Sequence, residues 1–359
     1  MKKILVLVND AITILHFRGE LIERLVDCGY EVLVNVPLNT RNNEIEQLGA
    51  RIIETKLSRK GKNPFQEIKL YNTYKRLLKK EKPDVVLSYT VKPNVYGGMA
   101  CKKQNIPYIA TVTGLGDAIE NNGILQKLVL FLYGQGIRKA SRVFFENTSN
   151  LQFFKNKKVV EDRNVLIPGT GVNLQKFIYL DYPKDEVANI LFVGRITRDK
   201  GVFELTEATK LYAGNDKIRF TIVGTADLGE VNPFEGLPNV LCVGYQKNVV
   251  DYLRQAHAVI LPSYHEGMSN SLMEAAACGR PILATAIPGC QEVFNEGITG
   301  FGFEPKNVES LKKTIEKFLA LEPAEREQMG IKARKKMEEE FNRDLVVDMY
   351  MEAITQILS

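Results

Sequence analysis

Histidine, cysteine and paired aspartates are scarce in this chain, and each shortage closes off a class of chemistry. The 359 residues hold three histidines, His16, His257 and His265, far apart in sequence. With no Asp-x-Asp pair beside them, nothing supports a dedicated metal cage, and neither a metal nor another cofactor is expected. The five cysteines, Cys28, Cys101, Cys242, Cys278 and Cys290, make no Cys-x-x-Cys and no paired framework. They read as reduced, buried thiols of a cytoplasmic protein. Long apolar runs are missing too. The first, Ile4 to Val8, stops at Asn9 and Asp10. It is too short for a secretory signal and reads as a buried strand. At 45% hydrophobic and 25% charged residues, the composition is that of a folded globular protein without a membrane span. The length suffices for two domains.

What is present is unevenly spread. The net charge is +5, yet residues 1–180 carry +12 and the remainder −7, and halves of opposite sign suggest different partners. Positive charge peaks between Arg51 and Lys82, where "KLSRKGKNPF" leads into "IKLYNTYKRLLKKEK". Such a basic amphipathic stretch suits an anionic membrane surface or a polyanion; a solvated lysine-rich helix face accounts for it equally. The apolar "ILQKLVLFLYG" at 124–134 is a second membrane candidate, with a buried helix as its alternative. No nucleic-acid partner is expected.

Short β-branched runs alternate with helical patterns, which predicts parallel sheets wrapped on both faces. The expected strands of the first half are 3–9, 31–36, 51–55, 84–88, 106–112, 142–146 and 163–167, with helices at 16–28, 65–81, 92–104 and 123–140. Near 168–187 the pattern loosens into prolines, glycines and few apolar pairs, the mark of a linker. It restarts with "NILFVGR", "IRFTIVG", "NVLCVG", "AVILPS" and "RPILAT", and ends in three consecutive helices, 306–320, 323–340 and 343–358. In open α/β sheets, ligands bind beyond the carboxyl ends of the strands.

Two motifs sit at such ends. Gly194-Arg195-Ile196-Thr197-Arg198-Asp199-Lys200-Gly201 follows one strand and precedes a helix. Cations beside a helix N-terminus oppose its dipole unless an anion is present, and helix N-termini bind phosphate. "HEGMSNSLME" follows another strand and holds Glu266 and Glu274 eight residues apart. Along a helix that interval spans about 12 Å, so the two carboxylates could hold two ends of an elongated ligand such as a nucleotide-sugar. The competing reading is a capping box, with Ser271 and Glu274 satisfying each other's backbone donors.

"HEGMSNSLMEAAACGRPILATAIPG" with its Glu-x7-Glu, together with "GRITRDKG", resembles the donor-binding half of family 4 retaining glycosyltransferases. The resemblance implies the GT-B fold, two Rossmann-like doubly wound domains facing a cleft. It places an acceptor domain at 1–170, a linker at 171–187, a donor domain at 188–342, and a final helix, 343–359, crossing back to the first domain. It implies that Arg195 and Lys200 neutralise the donor diphosphate, that Glu266 binds the transferred sugar, and that Glu274 binds the ribose hydroxyls. Met268, Ser269, Asn270 and Ser271 would supply backbone donors, with Gly194, Gly244 and Tyr245 completing the donor site and Glu292 a lesser candidate. "HFR" around His16 and Arg18, "SYTVKPNVYGG" and "ATVTGLGDA" resemble bacterial enzymes that extend undecaprenyl-diphosphate-linked glycans. On that likeness His16 and Arg18 would meet the acceptor diphosphate, and Asn94, Thr113, Gly114 and Asp117 would line the cleft; Thr113 stands where many members have a histidine. The implied reaction moves a sugar, such as N-acetylhexosamine from its UDP donor, to a lipid-diphosphate-linked acceptor without a metal. The enzyme would be cytoplasmic and peripheral on the inner membrane face. Competing readings are a nucleotide-sugar epimerase or phosphorylase on the same fold, and a non-catalytic carbohydrate- or polyanion-binding protein. A dinucleotide oxidoreductase fails, because no strand leads into Gly-x-Gly-x-x-Gly.

Overall fold

Strands form where Val, Ile, Leu and Phe run together for four to six residues and can be covered from both faces, as parallel strands under helices are. The computed structural model describes residues 1–37, 41–55, 64–114, 123–160, 163–227 and 231–359. They separate into two units: Met1–Thr170 with Asp344–Ser359, and Gly171–Arg343.

The first unit holds β1 (Lys3–Leu7), β2 (Glu31–Val36), β3 (Arg51–Glu54), β4 (Val85–Tyr89), β5 (Tyr108–Val112), β6 (Arg142–Phe145) and β7 (Asn164–Leu166). All neighbours pair in parallel, in the order β3-β2-β1-β4-β5-β6-β7. Its helices are α1 (Ala11–Phe17), α2 (Gly19–Asp27), α3 (Asn42–Glu46), α4 (Pro64–Glu81), α5 (Gly98–Gln104), α6 (Ile124–Ile137) and α7 (Thr148–Asn156). The second unit holds β8 (Ala188–Val193), β9 (Ile218–Val223), β10 (Val240–Gly244), β11 (Ala258–Leu261), β12 (Ile282–Thr285) and β13 (Gly300–Phe303), also parallel, in the order β10-β9-β8-β11-β12-β13. Around them lie α8 (Val202–Leu211), α9 (Val250–Arg254), α10 (Asn270–Ala277), α11 (Val308–Leu319) and α12 (Pro323–Glu340). The last helix, α13 (Arg343–Leu358), packs Val346, Val347, Tyr350 and Ile354 into the core of the first unit. Both sheets reverse direction beside their first strand, between β1 and β4 and between β8 and β11, the doubly wound switch point.

Three expectations change. The helix read at 16–28 is two helices. Asp10 caps α1 by accepting from the Thr13 amide at 2.8 Å, which starts the helix at Ala11. The chain then breaks at Arg18, whose side chain turns inward. The helix read at 92–104 opens with a π-turn over Pro93–Gly97, with Pro93 in its first turn, where a missing N–H costs nothing. A Cβ on Gly97 would press Leu7 and one on Gly98 would collide with the Gly136 carbonyl, so both glycines let this turn lie close to β1 and α6. Finally, 171–187 is no free linker. Val172, Phe177, Leu180 and Tyr182 are buried, the first three within the second unit's core cluster. Arg280 donates to the carbonyls of Leu180 and Asp181, and Arg334 to that of Phe177.

Candidate functional site

Three strands of the second unit, β8, β9 and β10, run out through the same dipeptide: Val193-Gly194, Val223-Gly224 and Val243-Gly244. The three glycines lie side by side. The Gly194 amide donates to the Val223 carbonyl at 3.0 Å and the Gly224 amide to the Gly244 carbonyl at 2.9 Å. A Cβ on Gly224 would collide with the Gly194 carbonyl, and Gly244 holds φ +69°. Backbone thus lines the edge beside the switch point, and nothing lies within 4 Å of where a Cβ on Gly244 would stand, room for a close-approaching ligand. Gly224 was missed from the sequence, although the repeated Val-Gly ending signals it. Tyr245, next in the chain, is 67% exposed.

The switch point itself gathers the charged groups. After β8, Arg198–Lys200 form one 3-10 turn that ends at Gly201, φ +66°. A Cβ on Gly201 would collide with the Pro262 carbonyl, and the Tyr264 amide donates to the Asp199 carbonyl at 2.8 Å, so this turn is docked on the β11 exit from two sides. Lys200 Nζ meets Glu266 Oε1 at 2.5 Å, with the two side chains 17% and 13% exposed. Ser263, fully buried, donates its hydroxyl to the same oxygen at 2.7 Å. Its own carbonyl accepts from the Thr285 hydroxyl at the end of β12. Oε1 is therefore doubly bound, while Oε2 has no partner among the described residues and is not among the oxygens sealed from solvent. Lys200 likewise keeps two of its three donors. Ser263 was missed from the sequence, where a serine three residues before a glutamate gives no signal of its own. Arg195 is 60% exposed and only 3.5 Å from Asp199, an exposed pair that contributes little and leaves the guanidinium available.

The loop from Glu266 to the next helix is held by the turn after β12. A Cβ on Gly289 would lie 2.7 Å from the Glu266 carbonyl, the Ser269 amide donates to the Gly289 carbonyl, and Glu292 accepts from the Gly289 amide at 2.7 Å. Glu292 thus orders this turn. The expected capping box does not form: α10 starts at Asn270 with Ser269 in the N-cap position, because the Gly289 contact fixes Ser269 in extended geometry two residues early. Only the stretch from Asn270 onward is helical, so helical rise does not set the Glu266–Glu274 separation. The Ser269 amide is occupied internally and the Met268 side chain joins the core; the amides of Asn270 and Ser271 stand in the first turn, ahead of the helix's own hydrogen-bond ladder. The Glu274 side chain makes no hydrogen bond among the described residues. Burial pushes its carboxyl up to about 7, against the pull of Lys176 and Arg343.

The residues singled out in the first half do not gather in this way. Arg18 is 3% exposed and pairs with buried Glu146 at 3.0 Å, stacked on Tyr89 and Tyr350. It offers no guanidinium to a diphosphate. Burial pushes the Glu146 carboxyl up, with Arg18 opposing. Asn94 is fully buried and knits strands together, accepting from Ser88 at 2.8 Å and donating to the Thr111 carbonyl at 2.8 Å; it lines nothing. His16 is partly exposed and lies 3.3 Å from the Arg41 guanidinium. Thr113 and Gly114 follow β5, both partly exposed. Asp117 lies outside the described residues, as does the part of the basic stretch at 56–63. Among the described residues no cluster of metal-ligating side chains occurs, and no helix is long and apolar enough to cross a membrane.

Known proteins match both units of the chain. Residues 181–336 match the family "Glycosyl transferases group 1" and residues 3–147 match "Glycosyl transferase 4-like". The N,N'-diacetylbacillosaminyl-diphospho-undecaprenol alpha-1,3-N-acetylgalactosaminyltransferase of Campylobacter jejuni is 32% identical over 84% of this chain and 85% of its own. An Escherichia coli UDP-Gal:alpha-D-GlcNAc-diphosphoundecaprenol alpha-1,3-galactosyltransferase is 24% identical over 67% of each chain. Among solved structures, Anabaena HepE in complex with UDP and glucose superimposes with a TM-score of 0.81 at 16% identity, covering 99% of this chain and 100% of its own. A sucrose-phosphate synthase from Thermosynechococcus elongatus does so with 0.80 at 20% identity over 99% of each. At such identities the structures establish the GT-B fold.

Proposed function

This chain belongs to the group 1, family 4-like glycosyl transferases, and on that premise we propose that it moves a sugar from a UDP donor, such as a UDP-N-acetylhexosamine, to a sugar carried on a lipid diphosphate. The observation that carries the reading is the Lys200–Glu266 pair at the second unit's switch point, beside an edge of glycine backbone. Glu266 Oε2 accepts from hydroxyls of the transferred sugar. Lys200 and Arg195, with the amides of Asn270 and Ser271, hold the diphosphate and stabilise the charge it gains as it departs. Glu274 accepts from the ribose hydroxyls, and Tyr245 flanks the base. The bond between the anomeric carbon and the diphosphate oxygen breaks as the acceptor hydroxyl attacks on the same face. Its proton passes to the departing diphosphate oxygen, so configuration is retained.

The first unit takes the acceptor at a membrane surface. Phe65 and Ile68 on α4 and Leu128 and Phe131 on α6 are exposed apolar side chains on helices that also carry lysines, which supports peripheral contact with anionic lipid.

Mass spectrometry of the protein with a panel of UDP-sugars and an undecaprenyl-diphosphate-linked N-acetylhexosamine tests the reaction. The expected product is the acceptor extended by one sugar, formed equally in EDTA. Interconversion of the UDP-sugar without acceptor would replace this reading by an epimerase. Sedimentation with phosphatidylglycerol vesicles at low salt is expected, and its absence would remove the membrane part.

A further inference from the structure

The two sheets share one strand order from their edge strand to their sixth, so their switch points can be compared. In the second unit the exits of β8 and β11 carry Lys200 and Glu266. In the first, the parallel register sets Leu7 opposite Ser88, and Asn9 and Thr90 each stand two residues beyond that pair, past the ends of β1 and β4.

Thr90 has φ +67°. A β-branched residue in that region is an outlier, and such strain persists only where the surroundings over-determine it. Asn94 supplies that constraint: its amide donates to the Thr90 carbonyl at 3.1 Å, while its buried side chain is tied to Ser88 and Thr111. The π-turn that follows, Pro93–Gly97, is a geometry that recurs at functional sites. Independently of the strain, Thr90 Oγ1 and Asn9 Oδ1 are both sealed from solvent and have no hydrogen-bond partner among the described residues. Buried side-chain oxygens nearly always have one. Both residues are themselves partly exposed, at the ends of their strands.

We propose that Asn9 and Thr90 form a site that reads a hydroxyl of the acceptor's sugar, an inference that rests on the acceptor reading above. An amide and a hydroxyl are uncharged and between them donate and accept, which matches a sugar hydroxyl. A diphosphate would need cations, and two of those nearest in the described structure are engaged: Arg18 by Glu146, and Lys92 by Glu67 at 2.7 Å. The acceptor's sugar is read here and its diphosphate is not.

Thr90→Gly tests this with two readouts that a purely structural role would not separate. Glycine accepts positive φ without strain, so the melting temperature rises; the hydroxyl is gone, so the acceptor KM rises about tenfold with the donor KM unchanged. Thr90→Ser keeps the wild-type acceptor KM, and Asn9→Ala raises it as Thr90→Gly does. The same factor is expected for the undecaprenyl-diphosphate-linked sugar and for the octyl glycoside of that sugar. A Thr90→Gly protein that is more stable with an unchanged acceptor KM would assign the strain to the fold alone and overturn the site. A rise confined to the diphosphate-linked acceptor would overturn the hydroxyl assignment. A wild-type protein inactive on either acceptor would instead remove the proposed function, and this site with it.

Discussion

Two well-shielded pairs of a basic side chain with a glutamate, one taken from each unit, do opposite work. Arg18–Glu146 in the first unit is 3% and 4% exposed, has aromatic rings on its flanks, and joins α1, β6 and α13. Lys200–Glu266 in the second is held at a sheet edge, 17% and 13% exposed, with spare donors on one partner and a spare oxygen on the other. A closed ion pair makes a joint and an ajar one makes a site. Both draw on the same electrostatics; what separates them is whether hydrogen-bonding capacity is left over for a ligand.

The comparison can be broken from either end. The largest effect is expected from Arg18→Met, which strands the Glu146 carboxylate in the interior. Losing one partner of a buried pair costs about 3–5 kcal/mol, or about 10 °C in melting temperature. UDP affinity per folded molecule should stay at the wild-type value, measured by calorimetry; a parallel loss would make Arg18 part of the site. Lys200→Ala should reverse the pattern, lowering kcat about 10²- to 10³-fold with little change in melting temperature. Near-normal turnover would remove Lys200 from the mechanism. Ser263→Ala frees Glu266 to rotate without touching the diphosphate groups. A kcat loss of about tenfold is expected from one hydrogen bond to a charged group, with donor KM nearly constant; equal losses in both would make Ser263 a fold residue.

The smallest effect sharpens the comparison through pH. The Glu274 carboxyl is raised to about 7 in the folded protein, above its ordinary value of 4.5. The folded state then holds a proton that the unfolded chain releases, so stability falls as pH rises from about 4.5 to 7 and levels off above. Glu274→Gln should remove that penalty, raising the melting temperature at pH 8 and leaving it nearly unchanged at pH 4, while raising the donor KM. Wild-type donor affinity should strengthen as pH passes upward through 7. A melting curve for Glu274→Gln that tracks the wild type at every pH would refute the buried-carboxylate account.

Much of this was legible where chemistry and a strand end coincide in a short stretch. "GRITRDKG" follows a clear strand, so the exits of Arg195 and Lys200 could be read from local pattern. Arg18 could not, because "HFR" looks alike whether it faces water or the interior, and its partner stands 128 residues later. The capping box failed for a related reason: the contact that decides where α10 begins comes from Gly289, on another loop. Residues 171–187 read as a linker because Val172, Phe177, Leu180 and Tyr182 are spaced with neither strand nor helix period, yet all are buried. Asp10 was legible and overlooked, an acid directly before "AITIL" being an N-cap signal.

The placement of α13 has a consequence for how the molecule is made. Val346, Tyr350 and Ile354 belong to the first unit's core, and the Tyr350 hydroxyl lies 2.6 Å from the Thr111 hydroxyl on β5. A ribosome therefore delivers every residue of the second unit before the first can close. Until then the part of the first unit's core that Val346, Tyr350 and Ile354 cover stays open to water, an exposure of apolar surface that favours association of unfinished chains.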